Sequence, residues 1–231
     1  MSNSIAYAAP KGHRMFAPIA MLYVTMLLIS DTVAVKLVTF LGFVLPSGIL
    51  CFPLVYLLND VLTEIYGFER TRSVIWWGFF CLALMTLVYG LSVWMPYPPF
   101  WRDQAAFEKL FGLVPRIAFA SFVAYLIGSF LNSIVLSKMK IWTNGKHLWT
   151  RTIGSTVVGE GADSIVFNVV AFAGVFALSD VMYIAFSGFV LKTLYEVLAT
   201  PLTYVVVGKL KRIEEEDKFD VGVSYSPLPI R

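Results

Sequence analysis

The chain has 231 residues, of which 58% are hydrophobic and 14% charged, with a formal net charge of +3. A soluble domain carries about a quarter charged residues, so the composition excludes an ordinary soluble fold, and the long apolar runs predict an all-α polytopic membrane protein. The basic residues fall between the apolar runs, where membrane topology accounts for them, so the positive balance implies no nucleic-acid partner.

Six transmembrane helices are expected, at roughly 15–38, 47–66, 73–95, 115–137, 153–178 and 182–208. Each is long enough to cross a hydrocarbon core of about 30 Å at about 1.5 Å per residue. The chain then divides into a cytoplasmic N-terminal segment (1–14), a six-helix membrane domain (15–210) and a charged cytoplasmic tail (211–231). The first apolar run is too long for a signal-peptide core and lacks a small-residue cleavage site, so it reads as a retained helix. With both termini inside, the tails and the second and fourth loops hold thirteen of the eighteen Lys and Arg residues, against three (Arg102, Lys109, Arg116) on the other side. That asymmetry sets the orientation. The tail opens with Glu214-Glu215-Glu216-Asp217 and reads as a solvated, mobile segment.

In chain order, span one carries Ser30-Asp31-Thr32 and ends near Lys36. The turn Leu45-Pro46-Ser47-Gly48 opens span two, where Phe52, Tyr56 and Asp60 follow at steps of four and share a helix face. Two rings beside a carboxylate suit a flat, hydrogen-bonding ligand. Glu64 is close to the inner interface, where solvation alone can account for it. The aromatic, proline-rich stretch Met95–Trp101 has the composition of an interfacial connector. Span four begins with Arg116 and includes Asn132. Span five reads Gly154-Ser155-Thr156-Val157-Val158-Gly159-Glu160-Gly161-Ala162-Asp163-Ser164 and continues to Asn168; span six carries Lys192 and Glu196.

Depth ranks these groups. Glu160 and Asp163 are on one face about 12–17 Å from the cytoplasmic entry of span five, and Lys192 is about 15 Å into span six, so the three can meet near the midplane. Asp60 is about 9 Å from the inner end of span two, and Asp31 lies in the outer half. Structural roles compete for each group. Lys192 can pair with Glu196 one turn away, or tie spans five and six together through Glu160 or Asp163. Lys36 and Arg116 can snorkel to headgroups, and the small residues of span five can serve close helix packing. As a set, however, six carboxylates (Asp31, Asp60, Glu64, Glu160, Asp163, Glu196) stand against two lysines inside the spans. Unpaired buried charge is expensive, so the excess implies protonated acids, a bound cation, or a substrate rich in N–H donors. A carboxylate can accept two parallel hydrogen bonds from a guanine-like N–H edge, as it does from Arg.

Several chemistries are excluded. No phosphate-binding loop of the G-x-x-x-x-G-K-[ST] type is present. His13 and His147 are the only histidines and lie in cytoplasmic segments, so no metal or cofactor is expected. Cys51 and Cys81 both fall in predicted spans and read as buried thiols. An intramembrane aspartyl protease built on Asp60 and Asp163 is disfavoured: Gly159-Glu160-Gly161-Ala162-Asp163 lacks the Gly-x-Gly-Asp spacing, and Asn59 precedes the first acid where Tyr is expected.

These stretches resemble one family. The resemblance rests on Phe52-Pro53, Asp60-Val61-Leu62-Thr63-Glu64-Ile65-Tyr66-Gly67, Arg72 and Ile75-Trp76, then Arg116, Ala120-Ser121, Trp149 and Arg151. It continues through Gly154-Ser155-Thr156, Gly159-Glu160-Gly161-Ala162-Asp163-Ser164, Phe167, Lys192, Thr200-Pro201 and Tyr204, spanning about residues 15–210. The set is similar to the VUT family of queuosine-precursor transporters. The resemblance implies a non-enzymatic six-helix carrier of the bacterial inner membrane, with a fold similar to the substrate-binding components of energy-coupling-factor transporters. Its substrates would be 7-deazaguanine bases: preQ1, preQ0 or queuine. On this basis the expected substrate-binding residues are Asp31, Lys36, Phe52, Tyr56, Asp60, Trp76, Arg116, Asn132, Glu160, Asp163, Asn168 and Lys192. Phe52, Tyr56 or Trp76 would stack on the ring, Glu160 or Asp163 would take its N–H edge, Asp60 or Asp31 would meet an amine arm, and Lys192 or Asn168 would donate to the ring carbonyl. Asp31 stands where the family more often has Asn, and Glu160 where Gln or Asn also fits. The added negative charge favours an amine-bearing base over the nitrile. A substrate-binding subunit that needs a separate ATP-driven partner is the alternative, and the Gly/Ala/Ser-rich spans permit a homodimer.

Overall fold

The long apolar runs are helical in the computed structural model, which describes residues 13–33, 36–40, 43–111, 115–172, 174 and 177–226. Helix α1 (Phe16–Val33) leads into a hairpin of β1 (Leu37–Phe40) and β2 (Phe43–Pro46), paired antiparallel with Leu37 opposite Pro46. A single 3₁₀ turn (Ser47–Leu50) precedes α2 (Phe52–Tyr66). Then follow α3 (Phe68–Trp94), the short α4 (Gln104–Phe111), α5 (Pro115–Trp142), α6 (Leu148–Phe172) and α7 (Leu178–Glu214).

Each of the six expected segments contains one long helix, with shifted ends. The expected first span, 15–38, stops being helical at Val33, and the hairpin departs from an all-helical chain. The second begins at Phe52 rather than 47, because Pro53 fits the first turn of a helix, where its missing N–H costs nothing. Helix α3 starts at Phe68, five residues before the expected 73, since Gly67 at φ 83° turns the chain directly from α2 into α3. Helix α4 was not anticipated. Cys51 lies just before α2 rather than within it, and both thiols are free and partly buried.

Four helical stretches are long and apolar enough to cross a membrane: α1, α3, Phe119–Trp142 of α5, and α7. The protein is therefore a polytopic, predominantly helical membrane protein. Its outer surface agrees. Trp77, Phe80, Leu84, Leu87 and Leu91 of α3 are exposed at steps of three and four, and Tyr183, Phe186, Leu194 and Leu198 are exposed on α7, a surface suited to lipid rather than water. The buried apolar core lies between α1, α2, α3 and α5 and includes Tyr23, Leu62, Ile65, Phe68, Ile75 and Phe130.

Helices α5 and α6 run antiparallel in close contact. A side chain at Gly128 would meet Gly159 O at 3.1 Å, and one at Gly159 would meet Gly128 O and Asn132 Cβ at 2.8 Å. Small residues at both positions let the backbones touch. One turn beyond each glycine stands a polar residue, Asn132 on α5 and Asp163 on α6.

The acidic tail is not a free segment. Residues 215–226 fold back over the ends of α2, α3 and α5. Lys218 N donates to Ile65 O at 3.2 Å, Arg72 Nη1 to Ser226 O at 2.8 Å, and Arg70 pairs with Glu216 at 3.2 Å. Asp220 Oδ2 accepts from Phe68 N at 2.8 Å and from Ser137 Oγ at 2.5 Å, capping the first turn of α3. The expectation of a solvated tail fails because Asp217 pairs with Lys140 and Lys211 and Glu216 with Arg70 and His13, partners that, Lys211 apart, are distant in sequence.

Candidate functional site

Three charged groups from two helices meet. Lys192 Nζ of α7 lies 2.9 Å from Glu160 Oε2 and 2.8 Å from Asp163 Oδ2, both on α6. Glu160 and Asp163 are almost fully buried, and Lys192 is 22% exposed at its side chain. Lys192 turns to α6, and Glu196 remains buried with Oε1 unpartnered.

A second group adjoins the first. Asp60 of α2 and Asn132 of α5 are completely buried, and Asn132 Nδ2 donates to Asp60 Oδ1 at 2.5 Å. One residue earlier on α2, Asn59 exchanges hydrogen bonds with Ser133 of α5 at 3.1 and 3.3 Å. The glycine contact joins the two groups, because a side chain at Gly128 would meet Asp163 Cβ at 2.9 Å and Tyr56 OH at 3.0 Å. Tyr56, Asp60, Asn132, Glu160, Asp163 and Lys192 thus form one buried polar seam through α2, α5, α6 and α7. Asn168 extends it along α6: its Nδ2 bonds to Ser164 O at 2.8 Å, and its Oδ1 is buried without a partner. The hydroxyl of Thr156 is likewise buried and unpartnered. Carboxylate and amide oxygens dominate the seam, which makes it rich in hydrogen-bond acceptors.

Other expected residues stand elsewhere. Trp76 packs against Phe79 and Phe130 at centroid distances of 5.6 and 6.0 Å, so it belongs to the aromatic core. Asp31 is on α1 and makes no ion pair among the described residues. Lys36 is exposed beyond α1, and its carbonyl accepts from Ser47 N at 2.7 Å. The side chains of Phe52 and Arg116 lie outside the described residues.

Glu64 is the largest departure. Open to a solvated reading in sequence, it is 1% exposed and anchors a buried ion cluster. Its Oε2 meets Arg151 Nη1 at 2.6 Å, and its Oε1 meets Lys211 Nζ at 2.7 Å and Lys140 Nζ at 3.6 Å. Asp217 of the tail pairs with Lys140 and, at 2.9 Å, with Lys211. Burial alone would raise the Asp217 carboxyl, but the hydrogen bonds from Lys140 and Lys211 outweigh it and hold the group below its ordinary value. Close packing through the small residues of α6 was expected; its counterpart on α5, Gly128 four residues before Asn132, was not.

Comparison with known proteins places the chain in a family. The family described as "Putative vitamin uptake transporter" matches residues 46–206. A Bacillus subtilis (strain 168) protein named "Probable queuosine precursor transporter" is 30% identical over 173 residues, which cover 74% of this chain and 75% of that protein. The "Queuosine precursor transporter" of Escherichia coli (strain K12) is 28% identical over 135 residues, 58% of each chain. A "Probable queuosine precursor transporter" of Haemophilus influenzae is 34% identical over 128 residues, 54% of this chain and 51% of that protein. No solved structure gives a significant match. With its apolar helices and these bacterial relatives, the chain is a multi-pass bacterial membrane protein and belongs to the vitamin uptake transporter (VUT) family.

Proposed function

We propose that this protein carries queuosine precursors, the 7-deazaguanine bases preQ1, preQ0 or queuine, across the bacterial inner membrane without catalysing a reaction. The names of the relatives support the substrate class. The observation that carries the reading is the Glu160–Lys192–Asp163 cluster, buried inside a bundle whose exterior is apolar. Ionisable groups held at such depth mark substrate pathways. In this reading Glu160 and Asp163 accept the ring N–H edge, Lys192 donates to the ring carbonyl, and Tyr56 stacks on the base. The topology is six spans with both termini cytoplasmic, in a fold similar to the substrate-binding components of energy-coupling-factor transporters. The acid pairs are unlike a protease dyad: Asp60 is bonded to Asn132 and Asp163 to Lys192.

The tail strapped across α2, α3 and α5 favours a self-contained carrier over a subunit that docks an ATPase. Copurifying ATPase subunits would reverse that preference. The test of function is calorimetric binding of the purified protein to queuine, preQ1, preQ0, guanine and biotin. Saturable binding of one or more deazaguanines with biotin silent is expected, and binding of none by folded protein would reject the substrate class. The excess of buried carboxylate further predicts that preQ1 and queuine bind more tightly than preQ0; equal affinities would remove that preference.

A further inference from the structure

Resting on the transport reading, we propose that Asp60 carries, on its buried Oδ2, a proton that crosses the membrane with the substrate. The geometry begins with an incomplete pair. Asn132 Nδ2 donates to Asp60 Oδ1 at 2.5 Å. The remaining oxygens, Asp60 Oδ2 and Asn132 Oδ1, are both buried and both lack a partner. In the ionised form both are acceptors, and neither can satisfy the other. Left ionised and without a cation, the carboxylate would be an uncompensated buried charge. One proton on Oδ2 removes that charge while Oδ1 keeps its bond from Asn132 Nδ2.

No cation takes that role. Asp60 makes no ion pair among the described residues. Lys192 is committed to Glu160 and Asp163, while Arg151 and Lys211 are committed to Glu64. The titratable groups on the surrounding helices are mostly acidic or neutral. Tyr56 and Glu64 share α2, Tyr125 is on α5, Glu160 and Asp163 are on α6, and Tyr23 and Asp31 are on α1. Helix α7 offers Glu196, itself buried with Oε1 unpartnered. The charged residues of α3, Glu69, Arg70 and Arg72, sit in its first turns beside the tail. A second negative charge in this low-dielectric seam would repel the first.

The cycle follows from position. One turn along α2, Glu64 is surrounded by Arg151, Lys140 and Lys211. When that end opens, water reaches Asp60 and the cations favour its ionised form. The O–H bond breaks, and the proton passes to cytoplasmic water. It re-forms with a proton from external water when the site faces outward. One proton, and one positive charge, then accompany each substrate.

The test uses the full chain in proteoliposomes with labelled preQ1, and protein-free liposomes as the control for trapping of the amine. Counterflow at equal pH reports transport; accumulation with acid outside, collapsed by a protonophore, reports coupling. At one proton per substrate, each pH unit supports at most about tenfold accumulation. The ratio of gradient-driven to counterflow uptake is compared within each variant, so weaker binding cancels. Wild-type protein is expected to respond to the gradient, and Asp60→Asn to lose that response. Normal counterflow without a gradient response in wild type overturns the proposal, as does a response retained in Asp60→Asn. A response lost in Glu196→Gln but kept in Asp60→Asn would move the proton to Glu196 and overturn the assignment. Absent counterflow in wild type would overturn the transport reading and the proposal with it. If Asp60→Asn is folded but inactive, infrared spectra of the substrate-free proteins decide. A carboxylic-acid band present in wild type and missing in the variant supports the proposal, and identical spectra overturn it.

Discussion

Lys192 is the only cation among the described residues that bridges two buried carboxylates of another helix within the seam, and single substitutions there separate binding from packing. Replacing Asp163 with Asn keeps shape and hydrogen-bonding capacity but removes charge. If Asp163 accepts a charge-assisted bond from the substrate, affinity falls by about 1–3 kcal/mol, and calorimetry on folded protein measures it; unchanged affinity removes Asp163 from the site. Replacing Lys192 with Met leaves Glu160 and Asp163 facing one another without their cation. Removing one partner of a buried ion pair costs about 3–5 kcal/mol, so thermal unfolding in detergent should show a larger loss for Lys192→Met than for Asp163→Asn. Equal melting temperatures would mean that the cation does not hold α6 to α7.

At the scale of elements, the α5–α6 crossing sets the seam. A Cβ at Gly128 would fall 2.9 Å from Asp163 Cβ and 3.1 Å from the backbone of Gly159. Neither is the far end of a flexible side chain, so the helices must separate. Gly128→Ala is expected to cost about 1–3 kcal/mol, the range for overpacking, and to weaken substrate binding with it. Gly188→Ala is the control: nothing lies within 4 Å of its Cβ position, and removing a helical glycine gains about 0.5–1 kcal/mol. Opposite shifts in melting temperature are the expected outcome, and parallel shifts would reject the close-contact argument. The same crossing explains what sequence could and could not supply. The meeting of Glu160, Asp163 and Lys192 was legible because depth along a helix follows from a fixed rise per residue. The pairing of Asp60 with Asn132 was not, because it depends on which faces of α2 and α5 turn toward each other. Glu64 was misread for a related reason. Its partners Arg151, Lys140 and Lys211 come from three other elements, and a local apolar pattern carries no record of them.

At the scale of the molecule, the tail ties together the ends of helices that a carrier must move. A run of four acids reads locally as solvated. Here Asp217 meets Lys140 and Lys211, and Asp220 caps α3 beneath Gly67, where an added Cβ would sit 2.6 Å from Asp220 Oδ1. Asp217 makes this strap sensitive to acid, and the sign follows from its depressed pKa. Burial alone would raise the value, yet the hydrogen bonds from Lys140 and Lys211 lower it below that of the unfolded chain. Its stabilising contribution is therefore present above the unfolded value of about 3.9 and is lost as pH falls through the lower folded value. Because the Asp217 side chain is 45% exposed, solvent screens the pair and the effect should stay within the tail. Lys211 also lies 2.7 Å from Glu64, a contact that does not involve Asp217, so the bundle should retain its own ion cluster. Amide hydrogen exchange should then show residues 215–226 protected at neutral pH and released in acid, while α5 and α6 remain protected. Asp217→Asn should show the released tail already at neutral pH. Equal protection of the tail in variant and wild type would place the anchor at Asp220 instead, whose bonds to Phe68 N and Ser137 Oγ do not involve Asp217.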